Sequence, residues 1–463
     1  MKIAIIFHRL GPYHFARLRA AGLRLPLVAI ETSGADGTYA WDLIAGADGF
    51  ERVTLFAHAD AQKQPAREVS RRMVAALDKL HPAVVVVPGW ADAAALAALQ
   101  WCAHYRVPAV IMSESTAWDA QRRAWSEELK RRIVGLGSAA LVGGTPHKEY
   151  IIQLGMPAER VFQGYDAVDN GYFAAGAAKI RGQSSGLRSP GSQHPASSIQ
   201  HPAPVSGLSP QVSGFRSPPS GLSHLPSSPF FLASARFVEK KNLPRLIQAY
   251  ARYRELAQKS EAGNPLPAPS IQHPASSCQL PAPVSGLRSP PSALWSLVLL
   301  GDGELRSSIF DLRSSLGLDA HVHLPGFKQY PDLPAYYAGA GAFIHASTTE
   351  QWGLVVNEAM ASGLPVLVSN RCGCARDLVQ DGINGFTFDP YNIEQIANAM
   401  LRLSSLLPAQ RSQFGSESQR LIANWGPDRF AAGLNAAVEC ALRSGPMKPA
   451  LLQRMILQAL LWK

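Results

Sequence analysis

The sequence has no apolar run long enough to cross a bilayer, few cysteines and no Asp-x-Asp pair. Without such a run a membrane-spanning chain is excluded, which leaves a soluble protein or one that lies on a membrane surface. The five cysteines, Cys102, Cys278, Cys372, Cys374 and Cys440, are odd in number and scattered. That is unlike a secreted disulfide framework and points to a reduced, cytoplasmic protein. Cys372-Gly373-Cys374 lacks a second Cys or His cluster, so it reads as loop or core rather than a metal site. A site that chelates a divalent ion against a diphosphate needs closely spaced carboxylates, so the missing Asp-x-Asp favours metal-independent chemistry with no cofactor. Acidic residues are also outnumbered, 34 against 44 Lys and Arg, for a formal charge of +10. This balance favours anionic partners in general. The positive charge is dispersed and no basic-aromatic module stands out, so nucleic acid is not among the expected partners.

What is present is enough apolar residue, 47% of 463 positions, for two or three cores. Ile3–Phe7 reads as a first strand and not as the apolar stretch of a signal peptide, since His8 and Arg9 follow at once. Further strand-like runs lie at Ala83–Val87, Ala109–Met112 and Ala139–Val142, with helix-like stretches at Ala91–His104 and Ala124–Ile133. The alternation resumes with strands at Phe230–Ser234, Ser296–Leu300, Ala342–His345 and Pro365–Val368. Such β-α-β alternation predicts an α/β protein with parallel sheets. The expected organisation is two Rossmann-like domains facing a cleft, at 1–178 and 229–440, followed by an amphipathic helix at 441–463.

Between and inside these units lie two Ser-, Pro- and Gly-rich segments, a linker insert at 179–228 and a second insert at 262–294. Gln193–Leu208 and Gln272–Leu287 are copies that differ only at Ile199/Cys278 and His201/Leu280. Neither copy offers an apolar face to stack, so both are expected to be disordered insertions, and their residues are excluded from any site.

The stretch Thr348–Pro365, TTEQWGLVVNEAMASGLP, carries the chemistry. It predicts a polar loop running into a helix that begins near Gly353. The amide groups of Gly353, Leu354 and Val355 would then point out of the helix start, where phosphate or sugar oxygens bind. Glu350 precedes the helix and Glu358 sits a turn inside it, so both carboxylates are expected at one mouth. Read alone, the pair is equally a capping acid and a solvated helix face.

Glu-x7-Glu followed by Ala-Met-Ala-Ser-Gly-Leu-Pro-Val resembles the signature of the group 1 glycosyltransferases, glycosyltransferase family four, which have the two-domain GT-B fold. Phe231–Tyr250, FLASARFVEKKNLPRLIQAY, resembles the family's strand, Arg, Lys and helix block, and Leu299–Leu305 its Gly-Asp-Gly turn. The loop Gly382–Gly385 resembles the family's closing loop. The resemblance implies a retaining transferase that uses a nucleotide sugar as co-substrate and a carbohydrate or lipid-linked acceptor. It gives Arg236 and Lys241 to the donor diphosphate, Glu358 to the ribose, and Glu350 with the backbone of Gly353 and Leu354 to the donor sugar. Fixed cations suit a reaction that leaves charge on a diphosphate. Gly301 and Gly303 do not begin a dinucleotide fingerprint, because Arg306 stands where the third glycine belongs.

In the first half, the resemblance places Gly11 in a loop facing the donor phosphates, with Tyr13, His14 and Arg17 in reach of substrate. His14 is equally well a structural histidine near a helix start. Many family members have a histidine where Glu114 stands here, so that histidine's role does not carry over. Glu114 is assigned instead to an acceptor hydroxyl. The rivals are an epimerase or hydrolase on the same fold, and an inactive transferase-like binding protein. Arg122, Arg123, Lys130, Arg131 and Arg132 with Trp118 and Trp125, and the apolar stripe Leu451–Trp462, read either as peripheral contact with an anionic membrane at its inner face or as ordinary packed helices.

Overall fold

The computed structural model describes residues 1–35, 44, 46–186, 226, 228–261 and 294–461. The disorder expected of the two repeated inserts falls almost entirely outside the described residues, as does Trp462. The first half holds seven parallel strands: β1 (Ile3–Phe7), β2 (Leu27–Ser33), β3 (Glu51–Phe56), β4 (Val84–Pro88), β5 (Ala109–Ser113), β6 (Ala139–Val142) and β7 (Val161–Gln163). Their order across the sheet is β3-β2-β1-β4-β5-β6-β7. The second half holds six: β8 (Phe230–Ser234), β9 (Ser296–Leu300), β10 (Val322–Gly326), β11 (Ala342–His345), β12 (Val366–Ser369) and β13 (Gly385–Phe388), in the order β10-β9-β8-β11-β12-β13. These are the two Rossmann-like units the alternation predicts.

Helices cover both faces of each sheet, and the central strands are therefore buried on both sides. Ile3 to Ile6 and Val84 to Val87 are fully enclosed, which is why they read as continuous apolar runs. In both sheets the strand order reverses beside the first strand, between β1 and β4 and between β8 and β11. A crevice opens outside the carboxyl ends of the strands at such a point, and ligands bind there. The loops after β1, β5, β8 and β11 all reach these crevices.

The two halves exchange helices. Asn170–Gly186, which follows β7, packs on the second half, where Phe173 joins Tyr336, Tyr337 and Phe343 in one core. The helix Pro427–Ser444 crosses back, and Phe430, Ala431, Leu434 and Val438 pack under the first sheet with Ile5, Val86 and Leu141. Packing therefore does not follow the expected boundaries at 178 and 440. Apolar periodicity specifies which helix face is buried but not which sheet receives it. The last helix, Leu451–Leu461, docks Leu457 into the core beneath the helices Ala66–Leu80 and Ala93–Tyr105, and leaves Leu451, Leu452 and Met455 exposed. Among the described residues no helix is long and apolar enough to cross a membrane.

The returning helix is a structural tie, so Leu434→Ala is expected to destabilise the first half by about 2–5 kcal/mol through the cavity it leaves. Urea unfolding followed by tryptophan fluorescence measures this, and an unchanged midpoint would contradict the packing.

Candidate active site

Where the crevices meet there are two adjoining cavities, of about 290 and 340 Å³. The first is walled on the second half by Arg236, Lys240, Lys241, Glu350 and Gly353 to Val355, and on the first half by Tyr13, Glu114 and Asp166. The second lies within the first half, among Gly11, His14, Arg17 and Tyr165. Tyr13, Glu114 and Leu354 line both.

Arg236 stands in the loop after β8, and the Gly-Asp-Gly turn holds that loop. Phe237 N–H donates to the Asp302 carbonyl at 2.8 Å, and Leu305 N–H to the Phe237 carbonyl at 2.9 Å. A methyl group on Gly301 would lie 1.8 Å from the Ala235 carbonyl oxygen, and Gly301 has φ +133°, so only glycine lets the two loops approach this closely. The motif thus serves to place Arg236 rather than to bind a dinucleotide.

Glu350 is buried and bonded on several sides. Lys241 Nζ donates to its Oε2, His345 Nε2 lies 3.3 Å from the same oxygen, and Ser347 Oγ donates to it at 3.4 Å. Burial pushes the Glu350 carboxyl up, but the charge of Lys241 and the hydrogen bond from His345 outweigh it and hold it well below the usual carboxylate range. Lys241 is therefore the counter-ion of Glu350 as well as a cation facing the cavity.

The helix after this loop begins at Leu354, with Gly353 as its N-cap at φ +105°, a left-handed geometry that favours glycine. Gly353, Leu354 and Val355 line the cavity at the helix start, as the spacing predicts. The Cys372–Cys374 loop closes behind, with Gly373 N–H donating to the Glu350 carbonyl at 3.0 Å. Cys372 and Cys374 are buried, and burial pushes both thiols up, so they act as core.

Glu358 is the main correction to the sequence reading. It lines neither cavity and has no exposed surface. Tyr13 donates to one of its oxygens and Tyr337 to the other, the latter at 2.7 Å. Tyr13 comes from the opposite half and stacks edge-on against Tyr330. The expected common mouth for both carboxylates is thus replaced by a Glu350 that lines the first cavity and a Glu358 that lines neither, because a tyrosine from a distant segment covers the second. Burial raises the Glu358 carboxyl to about 7, against the opposing pull of the two tyrosine hydrogen bonds.

Gly11 is a second correction. It lines the second cavity and not the first, where the cations stand. Its N–H donates to His14 Nδ1 at 3.1 Å, so His14 caps its own helix. Burial, then the Arg17 charge, lower His14 to about 3, which keeps the ring neutral. That fits the structural alternative for this residue.

Sequence reasoning missed Asp166, Lys240, Tyr337 and His147. Asp166 and Tyr337 lie in a short loop and a short helix without a chemical pattern, and Lys240 stands beside Lys241 in the Arg-Lys block. His147 is fully buried and ties the halves together. Its Nδ1 accepts from Gly144 N–H at 3.1 Å, so the proton is on Nε2, which donates to the Gln351 carbonyl at 2.8 Å beside Glu350. Trp118 Nε1 donates to the Arg371 carbonyl at 3.2 Å, and Thr145 N–H to Asp377 Oδ2 at 2.9 Å, across the same seam.

Comparison with known proteins agrees with this geometry. Residues 292–420 match the family profile "Glycosyl transferases group 1". The lipopolysaccharide core biosynthesis glycosyltransferase LpsE of Rhizobium meliloti is 28% identical over 173 residues, 37% of this chain and 38% of that protein. The chain spans less than two fifths of the length of the first curated relatives it matches, 28% to 38%. The fold is that of Anabaena HepE, solved with UDP and glucose, with TM-score 0.61 and 16% identity over 95% of this chain and 99% of that one. It is also that of sucrose-phosphate synthase from Thermosynechococcus elongatus, with TM-score 0.65 and 15% identity over 95% and 98% of the two chains.

The Glu358 environment sets a pH dependence. A carboxyl raised in the folded state favours the folded protein fully below its unfolded value near 4.5, and that contribution is lost as pH rises toward about 7. Glu358→Gln is expected to flatten the stability profile in this window by on the order of 2–3 kcal/mol, seen as melting temperature against pH. A variant that keeps the wild-type slope would contradict it. The two facing crevices, the Gly-Asp-Gly turn and the Glu350 helix start are those of the GT-B fold, and residues 292–420 match the group 1 glycosyltransferases.

Proposed function

We propose that the protein moves a sugar from a nucleotide sugar to a hydroxyl of a carbohydrate or lipid-linked acceptor, with retention of configuration and without a metal. The observation that carries this is the clustering of Arg236, Lys240 and Lys241 at a helix start, on a cavity that adjoins a second one. The cations and the amides of Gly353 to Val355 suit a diphosphate, whose charge grows as the sugar leaves. Glu350 stands where it can accept from the sugar's hydroxyls. The binding of UDP-glucose by HepE supports a donor of this class.

In the reaction the acceptor oxygen forms a bond to the anomeric carbon on the face from which the diphosphate departs. The bond from that carbon to the phosphate oxygen breaks, and the acceptor proton passes to the departing phosphate oxygen. No protein base is required, and the missing Asp-x-Asp agrees with charge neutralisation by side chains instead of a metal.

Arg236→Ala and Glu350→Gln are each expected to lower transfer by about 100-fold or more while the melting curve stays cooperative. A panel of nucleotide sugars with mass-spectrometric readout of product and free nucleotide is the test. Full activity in either variant sinks the assignment, nucleotide release without acceptor favours a hydrolase or epimerase, and binding without product favours a transferase-like binding protein.

We place this activity on the cytoplasmic side, with peripheral membrane contact through the apolar edge of Leu451–Leu461 and the exposed Trp125. Gln453 Nε2 donates to the Arg132 carbonyl at 2.8 Å, which sets this helix beside Ala124–Val134. The charges there are largely paired, Lys130 with Glu127 and both Arg131 and Arg132 with Glu128, so the apolar edge supplies the attraction. Sedimentation with phosphatidylglycerol vesicles is expected to weaken in a Leu451→Asp, Met455→Asp variant. Equal sedimentation of the variant would remove this contact from the proposal.

A further inference from the structure

Across the first cavity from the cations stands a wall of carboxyls. Asp166, in the loop after β7, is 1% exposed and lines this cavity; its carboxyl meets that of Glu114, and neither of its oxygens makes a further hydrogen bond. A buried polar group left in this way is costly unless a ligand completes it. The position is built for the side chain. A methyl group on Gly143 would lie 2.5 Å from Asp166 Oδ2, so the glycine makes the room. Arg17 Nε donates to the carbonyl of the next residue, Ala167, at 2.9 Å, and the guanidinium lies over the Tyr165 ring. Arg17, which lines the second cavity, is thereby committed to a carbonyl and a ring.

Burial raises the Asp166 carboxyl well above its ordinary range, the charge of Glu114 adds to the effect and Arg17 opposes it; a hydrogen bond with Glu114 and then the charge of Glu350 push in the same direction as burial. Asp166 is therefore held toward its neutral form beside Glu114. Glu114 lines both cavities, so the pair stands at their junction.

We propose that Glu114 and Asp166 together clamp two neighbouring hydroxyls of an uncharged sugar ring, so that the acceptor is a neutral glycoside at its reacting end and not a sugar phosphate or uronic acid. This rests on the donor-site reading above. A hydroxyl both donates and accepts, and such a pair offers both functions: the Glu114 carboxyl takes a proton-bearing hydroxyl, and Asp166 gives its proton to the neighbour. A phosphate or carboxylate offers only acceptor oxygens and would meet the Glu114 charge. Arg9, which also lines the second cavity, is the group an anionic acceptor would use, and this makes phosphorylated sugars the opposing probe.

The test is saturation-transfer NMR of methyl α-glucoside, methyl α-mannoside, glucose 6-phosphate and mannose 6-phosphate. Each is run against the full chain, alone and saturated with whichever of UDP, GDP and ADP binds. The methyl glycosides are expected to bind the wild type more tightly than the phosphates, and Glu114→Gln and Asp166→Asn each to weaken them by about tenfold or more. Nucleotide binding should be retained in both variants, since the cations that hold the diphosphate are unchanged, and this also reports that they fold. Tighter binding of the phosphates, unchanged glycoside binding in both variants, or parallel loss of nucleotide would each overturn the clamp. Failure of the wild type to bind any nucleotide sinks the donor reading instead, while the glycoside titrations without nucleotide still decide this one.

Discussion

The buried pair of Lys241 and Glu350 is the interaction on which the rest of the site depends. A carboxylate at this depth is stable only if its charge is matched and its remaining lone pairs are bonded, and His345 and Ser347 complete what Lys241 begins. The pair joins the loop after β8 to the loop after β11, the two strands that flank the reversal of the second sheet. With both loops held, Arg236 and the helix start at Gly353 acquire fixed places around one cavity. His147 and Trp118, from the first half, then bond to carbonyls of the loops around Glu350. The buried pair therefore fixes where the opposing half can dock.

The outcome is a charge division across the cleft. Cations gather on the wall of the second half, and the acids Glu114 and Asp166 stand on the wall of the first. A reaction that develops negative charge on one side and consumes a neutral hydroxyl on the other needs this asymmetry. Fixed dipoles and charges placed before the reaction need not reorganise during it.

How much of this the sequence disclosed follows from how local each signal is. The central strands β1, β4, β8 and β11 were legible as apolar runs buried on both faces. β2 was not, because it ends in Glu31, Thr32 and Ser33, yet it is wholly buried. Glu31 is satisfied there by Arg52 and Thr54 of the neighbouring strand, partners that no local pattern announces. β7, of three residues, is too short to show a period. In the site, Arg236, Lys241, Glu350 and the helix start were legible because each lies within a contiguous motif. Asp166 had no such setting, and its meaning comes from a cavity that only the folded chain creates.

Glu358 shows the limit most clearly. Helical spacing places it correctly on the same helix as Gly353, but spacing says nothing of Tyr13, which lies 345 positions away and covers it. Each Glu358 oxygen already accepts one tyrosine hydroxyl, and the side chain has no exposed surface. Tyr13 stands in the first turn of the helix Pro12–Gly22, on the half that carries the second cavity, so a side chain of the first half closes off a carboxyl supplied by the second.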